Sequence, residues 1–166
     1  MNHKTVAAKF VQGATKATGF NMFVAQPSYH LTIYSYGYHF PIAVRTGVIV
    51  AGREIVLFNS NGYSVSTSKH KSIVHWALSQ TGDFWIIEAP TAVLKTFSQY
   101  SFTVDLVDNI LKDLKERTQE AIGKRDRARK YKWIYEREIV DLTTQAQVAL
   151  QLLNGDTHEF RSQYPL

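Results

Sequence analysis

From residue 19 to residue 66 apolar and polar positions largely alternate, which is the period of a half-buried β-strand. In YHLTIYSYGYHF (29–40), Thr32, Tyr34, Tyr36, Tyr38 and Phe40 fall on one side, and Ile33, Ser35, Gly37 and His39 on the other. PIAVRTGVIVAGREIVLFNS (41–60) continues as two apolar runs divided by a turn at Ala51-Gly52-Arg53. Asn61-Gly62 carries a hairpin signal, since both residues tolerate positive φ, and Tyr63-Ser64-Val65 then reads as the returning strand. Gly13, Gly19 and Gln26-Pro27-Ser28 supply turns nearer the start. The pattern predicts a meander of short antiparallel strands.

The period changes after residue 66. Ser66, Thr67 or Ser68 can cap a helix running to about Gln80, with Ile73, Ala77 and Leu78 on its buried side, extended by Val74 and Trp76. Thr81-Gly82-Asp83 ends it, FWIIEAP (84–90) returns as a strand stopped by Pro90, and residues 91–97 read as a short helical turn. From Thr103, a second N-cap, a four-three spacing links Val107, Leu111, Leu114, Thr118, Ala121, Arg125, Ala128, Lys132, Tyr135, Ile139, Leu142, Ala146, Ala149 and Leu153. Its middle is poor in core residues, and Gly123 costs about 1 kcal/mol inside a helix. Either one kinked helix pivots there or two helices meet near Gly123 as a hairpin; the hairpin is preferred, whereas a continuous helix would favour a homodimer through its apolar stripe. Asn154-Gly155 closes the last helix, and the tail to Leu166 reads as irregular. The predicted class is α+β: a small antiparallel β-meander with helices packed on one face (1–100), and a long helical C-terminal segment (101–166) on the same core.

Composition narrows the setting. A chain of 166 residues, 45 % hydrophobic, suits one folded domain. It has no cysteine, which excludes disulfides and thiolate metal sites. Met1–Gly13 does not read as a signal peptide, and no apolar run approaches the roughly 20 residues that span a bilayer. The expectation is a cytoplasmic protein without a membrane partner. The net charge of +5 is unevenly spread. Residues 1–82 hold Lys4, Lys9, Lys16, Arg45, Arg53, Lys69 and Lys71 against Glu54 alone, and residues 124–132 hold Lys124, Arg125, Arg127, Arg129, Lys130 and Lys132 against Asp126. Such regions attract anionic partners, unless they are merely solvated faces.

The first basic cluster is SVSTSKHK (64–71), where Lys69, His70 and Lys71 crowd the end of a helix that already carries partial positive charge. With Ser66, Thr67 and Ser68 they suggest an anion site on free amides, hydroxyls and cations. The simpler reading is a hydroxyl cap with its lysines in water. The second cluster is the 124–132 run, followed by Tyr131, Trp133 and Tyr135; cations for phosphates and rings for stacking occur together. Tyr34, Tyr36 and Tyr38 could stack unpaired bases with Trp133, or form a buried cross-strand ladder, the preferred reading. No catalytic residue is assigned. Ser66-Thr67-Ser68-Lys69 matches S-x-x-K, but S-D-N and K-T-G are absent. The six histidines lack metal-ligand spacing, and GVIVAGRE (47–54) has Arg53 and Glu54 where a phosphate loop needs Lys and Ser/Thr, so no metal or cofactor is expected.

SYGYHFPIAV (35–44) and LFNSNGYSVSTSKHKSIVHWAL (57–78), above all Tyr63, Ser64, Val65, Thr67, Ser68, Lys69 and His70, resemble a group of small uncharacterised proteins encoded by phages and mobile elements. The chain departs from that group in Gly37-Tyr38-His39 and in the extension beyond Thr103. The resemblance implies a phage or prophage origin and no activity. The leading expectation is a non-enzymatic phage accessory protein binding nucleic acid through both basic clusters. The rival is a protein-binding inhibitor of a host enzyme or of a nucleic-acid-targeting defence complex; a Ser/Lys hydrolase stands third.

Overall fold

The computed structural model describes residues 1–27, 30–99 and 104–154. Helix α1 (His3–Val11) opens the chain, where the sequence pattern offered only turns. Asn2 caps it by accepting the Thr5 N–H at 2.8 Å, and Val6, Ala7 and Phe10, three and four residues apart, bury one face.

Five antiparallel strands follow as the predicted meander: β1 (Ala17–Thr18), β2 (Met22–Ala25), β3 (Thr32–Ser35), β4 (Pro41–Val50) and β5 (Arg53–Asn59). Ala51 and Gly52 join β4 to β5 with φ of 51° and 78°, the positive pair that a primed two-residue hairpin turn demands. Helix α2 (Val65–Thr81) then crosses over to β6 (Phe84–Ala89), which runs parallel to β5. The strand order is sequential, so the mixed six-stranded sheet ends in β1 and β6. Gly82, left-handed at φ 67°, terminates α2. Helices α3 (Thr91–Gln99), α4 (Val104–Arg127), α5 (Lys132–Ala149) and α6 (Gln151–Asn154) complete the described chain.

The α+β class stands, with a mixed rather than purely antiparallel sheet and with helices on both faces rather than one. Alternation along β5 shows why. Ile55 and Leu57 pack with Val93, Phe97, Ile110, Leu114, Leu142 and Val148 of α3, α4 and α5, while Val56 and Phe58 pack with Val6, Phe10, Val74 and Leu78 of α1 and α2. Arg45 ties the second layer down: its Nε and Nη2 donate to Glu54 at 2.8 and 3.0 Å, and its Nη1 reaches the Phe10 and Val11 carbonyls that end α1.

Three local readings change. Asn61-Gly62 is not a hairpin: the Asn61 side chain accepts the Thr91 N–H at 2.7 Å, its carbonyl accepts from Lys71 at 2.9 Å, and residues 60–64 form the link into α2. Ser64, expected in a strand, is the N-cap, and its hydroxyl takes the Thr67 N–H. The buried side of α2 is Thr67, His70, Val74 and Leu78, and Trp76 points away from it at 62 % exposure. In the C-terminal segment two helices do form a hairpin, but they part at residues 128–131 and Gly123 lies within α4. Thr103, Gly155 and the tail to Leu166 lie outside the described residues.

Candidate functional site

The expected cluster at the start of α2 does not converge. Ser66, Ser68 and Lys69 are exposed. Thr67 is fully buried, receiving the Ser64 hydroxyl at 3.1 Å. His70 is 3 % exposed and turns inward, with Nδ1 2.7 Å from the Ser35 hydroxyl and its ring edge-on to His3 at 4.4 Å. Burial, and then the neighbouring His3, hold the His70 pKa below the ordinary histidine value, so the ring is a neutral structural group. Lys71 bends back to the Asn61 carbonyl and over the Phe58 ring, 5.7 Å from its centre, and burial lowers its pKa against the opposing pull of Glu88. Three residues adjacent in sequence thus point to three places, because a helix turns about 100° per residue.

The tyrosine stripe also divides. β3 stops at Ser35, and Tyr36 takes a left-handed conformation at φ 64° that ends the alternation. Tyr34 is buried and stacked on Phe23 at 5.1 Å, Tyr38 closes edge-on against both rings from the following turn, and Tyr36 tilts over His70. Tyr34 therefore belongs to the core ladder, while Tyr36 and Tyr38 keep exposed faces.

The second cluster is brought together. α4 closes with Lys124, Arg125 and Arg127 in its last turn, where cations complement the helix dipole. The chain reverses over residues 128–131, Tyr131 adopts φ 59° and ψ 34° at the N-cap of α5, and Lys132 begins that helix. No side chain caps this N-terminus and no acid lies in its first turn. Cations thus stand beside a helix N-terminus without a side-chain cap among the described residues, although the Ile134 N–H there is already taken by the Tyr131 carbonyl at 3.0 Å. Lys124 and Arg125 are partly neutralised by Glu120 and Asp126, each at 3.2 Å, whereas Arg127, Arg129, Lys130 and Lys132 make no ion pair among the described residues. Tyr131 and Trp133 stand at 67 % and 59 % exposure beside these cations, with Ile134 half exposed behind them. Of the three rings expected beside the run, Tyr131 and Trp133 are exposed here and Tyr135 is half-buried; Ile134 joins them unforeseen, because only a chain reversal turns a helical stripe into a tip.

A further feature was missed in the sequence. Trp76, read as core, lines an open groove of about 470 Å³ along α2 with Ser68, Lys71, Ser72, His75 and Ser79. The signal was present, since Trp76 lies off the 3–4 spacing that joins His70, Val74 and Leu78. Among the described residues no group of three or more His, Asp or Glu side chains gathers to hold a metal, and no helix is long and apolar enough to cross a membrane. Ser66 and Lys69 share no hydrogen bond among the described residues, and the neighbouring His70 ring is directed into the core. No family model, curated protein or solved structure matches the chain.

Proposed function

We propose that the protein is a non-enzymatic binding protein whose α4–α5 tip engages an anionic partner, nucleic acid first, and that it serves as a phage accessory protein in the host-cell cytoplasm. The observation that carries this reading is the charge of Arg127, Arg129, Lys130 and Lys132, unpaired among the described residues, beside the exposed rings of Tyr131 and Trp133. Cations on a projecting turn follow a phosphate backbone by releasing its counterions, and adjacent rings stack unpaired bases whatever their sequence. The tip has neither a recognition helix with base-reading side chains nor a sheet of stacking aromatics, so contact is electrostatic and sequence-tolerant.

A second reading has its own observation. Trp133 and Val140, two turns apart on α5, are both largely exposed, a stripe suited to a protein surface such as a host enzyme or a defence complex.

The deciding experiment is anisotropy with labelled single strands and duplexes of about 20 nucleotides at low salt. The triple reversal Arg125→Glu, Arg127→Glu, Arg129→Glu weakens binding at least about a hundredfold without unfolding the protein, and Trp133→Ala weakens single-strand binding by about 1–3 kcal/mol. Absence of any binding to DNA or RNA at low salt rejects the nucleic-acid reading. Capture of one stoichiometric host protein that survives nuclease treatment supports the second.

A further inference from the structure

β6 ends the sheet, and among the described residues only β5 pairs with it. Parity shows which of its main-chain groups remain open. At the two ends of the ladder Glu54 N–H donates to the Asp83 carbonyl and Ser60 N–H to the Ala89 carbonyl, both at 2.9 Å. Residues of a strand serve its two neighbours alternately. Odd-numbered β6 residues therefore face β5, and Phe84, Ile86 and Glu88 present their backbone groups outward.

The Glu88 N–H agrees, since it donates at 2.9 Å to Gln145 Oε1 of α5. That side-chain amide stands where the carbonyl of another strand would stand. No comparable partner reaches the Ile86 N–H among the described residues.

This edge floors a cleft of about 350 Å³ between α2 and α5, walled by His75 and Ser79 on one side and by Asp141 and Thr144 on the other. FWIIEA contains no proline or lysine to blunt an exposed edge, and the charge of its one acid, Glu88, is taken up by Arg117. Because helices flank the edge on both sides, a lone extended segment suits it better than a second copy's β6, which carries α2 and α5 on its own flanks.

The cleft is also polarised. At the Phe84 end, Arg53 lies over the Trp85 ring at 4.1 Å with Nε donating to the Gly82 carbonyl, and its terminal nitrogens have no partner among the described residues. At the Glu88 end, Gln145 Nε2 holds Asp141 at 3.1 Å.

We propose that β6 accepts an extended peptide segment of a partner protein as a seventh strand, acidic where it passes Arg53 and basic where it passes Asp141. Main-chain bonds to Ile86 supply affinity and the two end charges supply register, the mode by which sheet edges take peptides. The site is separate from the α4–α5 tip and does not rest on the nucleic-acid reading.

The probes are the capped heptapeptide Asp-Thr-Val-Thr-Val-Thr-Lys and its reversed sequence, which sample both strand directions, titrated into the full chain with amide-resolved NMR. One of them saturates in the micromolar range and slows Ile86 amide exchange by about tenfold or more, while the Ile87 amide, already in the β5 ladder, is unchanged. Arg53→Glu weakens that peptide by about fivefold or more, and replacing the peptide's Asp with Lys restores binding to the variant. The proposal is overturned if neither peptide saturates by about 1 mM, or if binding leaves Ile86 exchange unaltered. It is equally overturned if the Ile86 amide is already protected in the free chain and loses that protection when residues 155–166 are removed.

Discussion

His70 and Ser35 make a sharp test of how the α1–α2 layer is joined to the sheet. Ser35 is fully buried at the end of β3, with Oγ 2.7 Å from His70 Nδ1 and 3.3 Å from the Thr67 hydroxyl. His70→Ala leaves that hydroxyl with its longer partner alone and withdraws a ring from His3 and Tyr36. Losing the shorter of its two bonds costs that buried hydroxyl about 1–2 kcal/mol, and the cavity costs about 2 kcal/mol more. The expected loss of about 3–4 kcal/mol is a large fraction of the 5–15 kcal/mol that typically holds a domain together. Ser35→Ala costs about 1–2 kcal/mol by orphaning Nδ1, and the double variant falls short of the sum by about 1–2 kcal/mol because neither orphan survives in it.

The assay is urea unfolding followed by circular dichroism, near pH 7.5 and again near pH 5.5. The folded-state pKa values of His70 and His30 are both lowered, chiefly by burial, so the unfolded chain takes up these protons first. Their stabilising effect is complete above the ordinary histidine pKa of about 6.5 and is lost as pH falls toward the folded-state values, with a slope of at most about 1.4 kcal/mol per pH unit for each ring. His70→Ala retains only the His30 part of that slope. Additive single costs within about 0.5 kcal/mol, or an acid slope unchanged by His70→Ala, would refute the reasoning.

Gly123→Ala should stabilise the fold by up to about 1 kcal/mol, because the added Cβ meets only the mobile end of Arg127 at 3.2 Å inside a continuous helix; a loss in thermal unfolding would put the hairpin break back at this residue. Arg45→Met should cost about 2–4 kcal/mol in denaturant unfolding, since Glu54 and the carbonyls ending α1 all lose their donor, and a change below about 0.5 kcal/mol would show that α1 is held without it. Gly52→Ala should cost about 1 kcal/mol in the same assay because position 52 sits at φ 78°, and neutrality there would contradict the primed turn.

Elements whose boundaries carry a steric signal were legible from residues alone. Ala51-Gly52 marks the β4–β5 turn, Gly82 the end of α2, and Pro90 the end of β6. Boundaries that depend on competing polar side chains were not. Asn61 suits a hairpin equally well until Thr91, thirty positions away, claims its side chain. Ser64, Ser66, Thr67 and Ser68 all suit an N-cap, and Ser64 prevails because it lets Thr67 and His70 reach the buried Ser35 hydroxyl. α1 escaped because it is short, although Asn2 and the spacing of Val6, Ala7 and Phe10 announce it. The cations of the tip were visible as a run, but their separation from compensating acids, and the exposure of Tyr131 and Trp133, arise only once residues 128–131 reverse the chain.

The central claim, that the α4–α5 tip binds a polyanion through its unpaired cations, is tested most directly by the salt dependence of nucleic-acid binding. The logarithm of the binding constant, plotted against the logarithm of salt concentration, should fall on a line whose slope is about −0.7 to −0.9 for each phosphate engaged. Neutralising one exposed cation, as in Arg129→Gln, should make that slope shallower by nearly one contact. A slope that is flat, or that the substitution leaves untouched, would contradict the account.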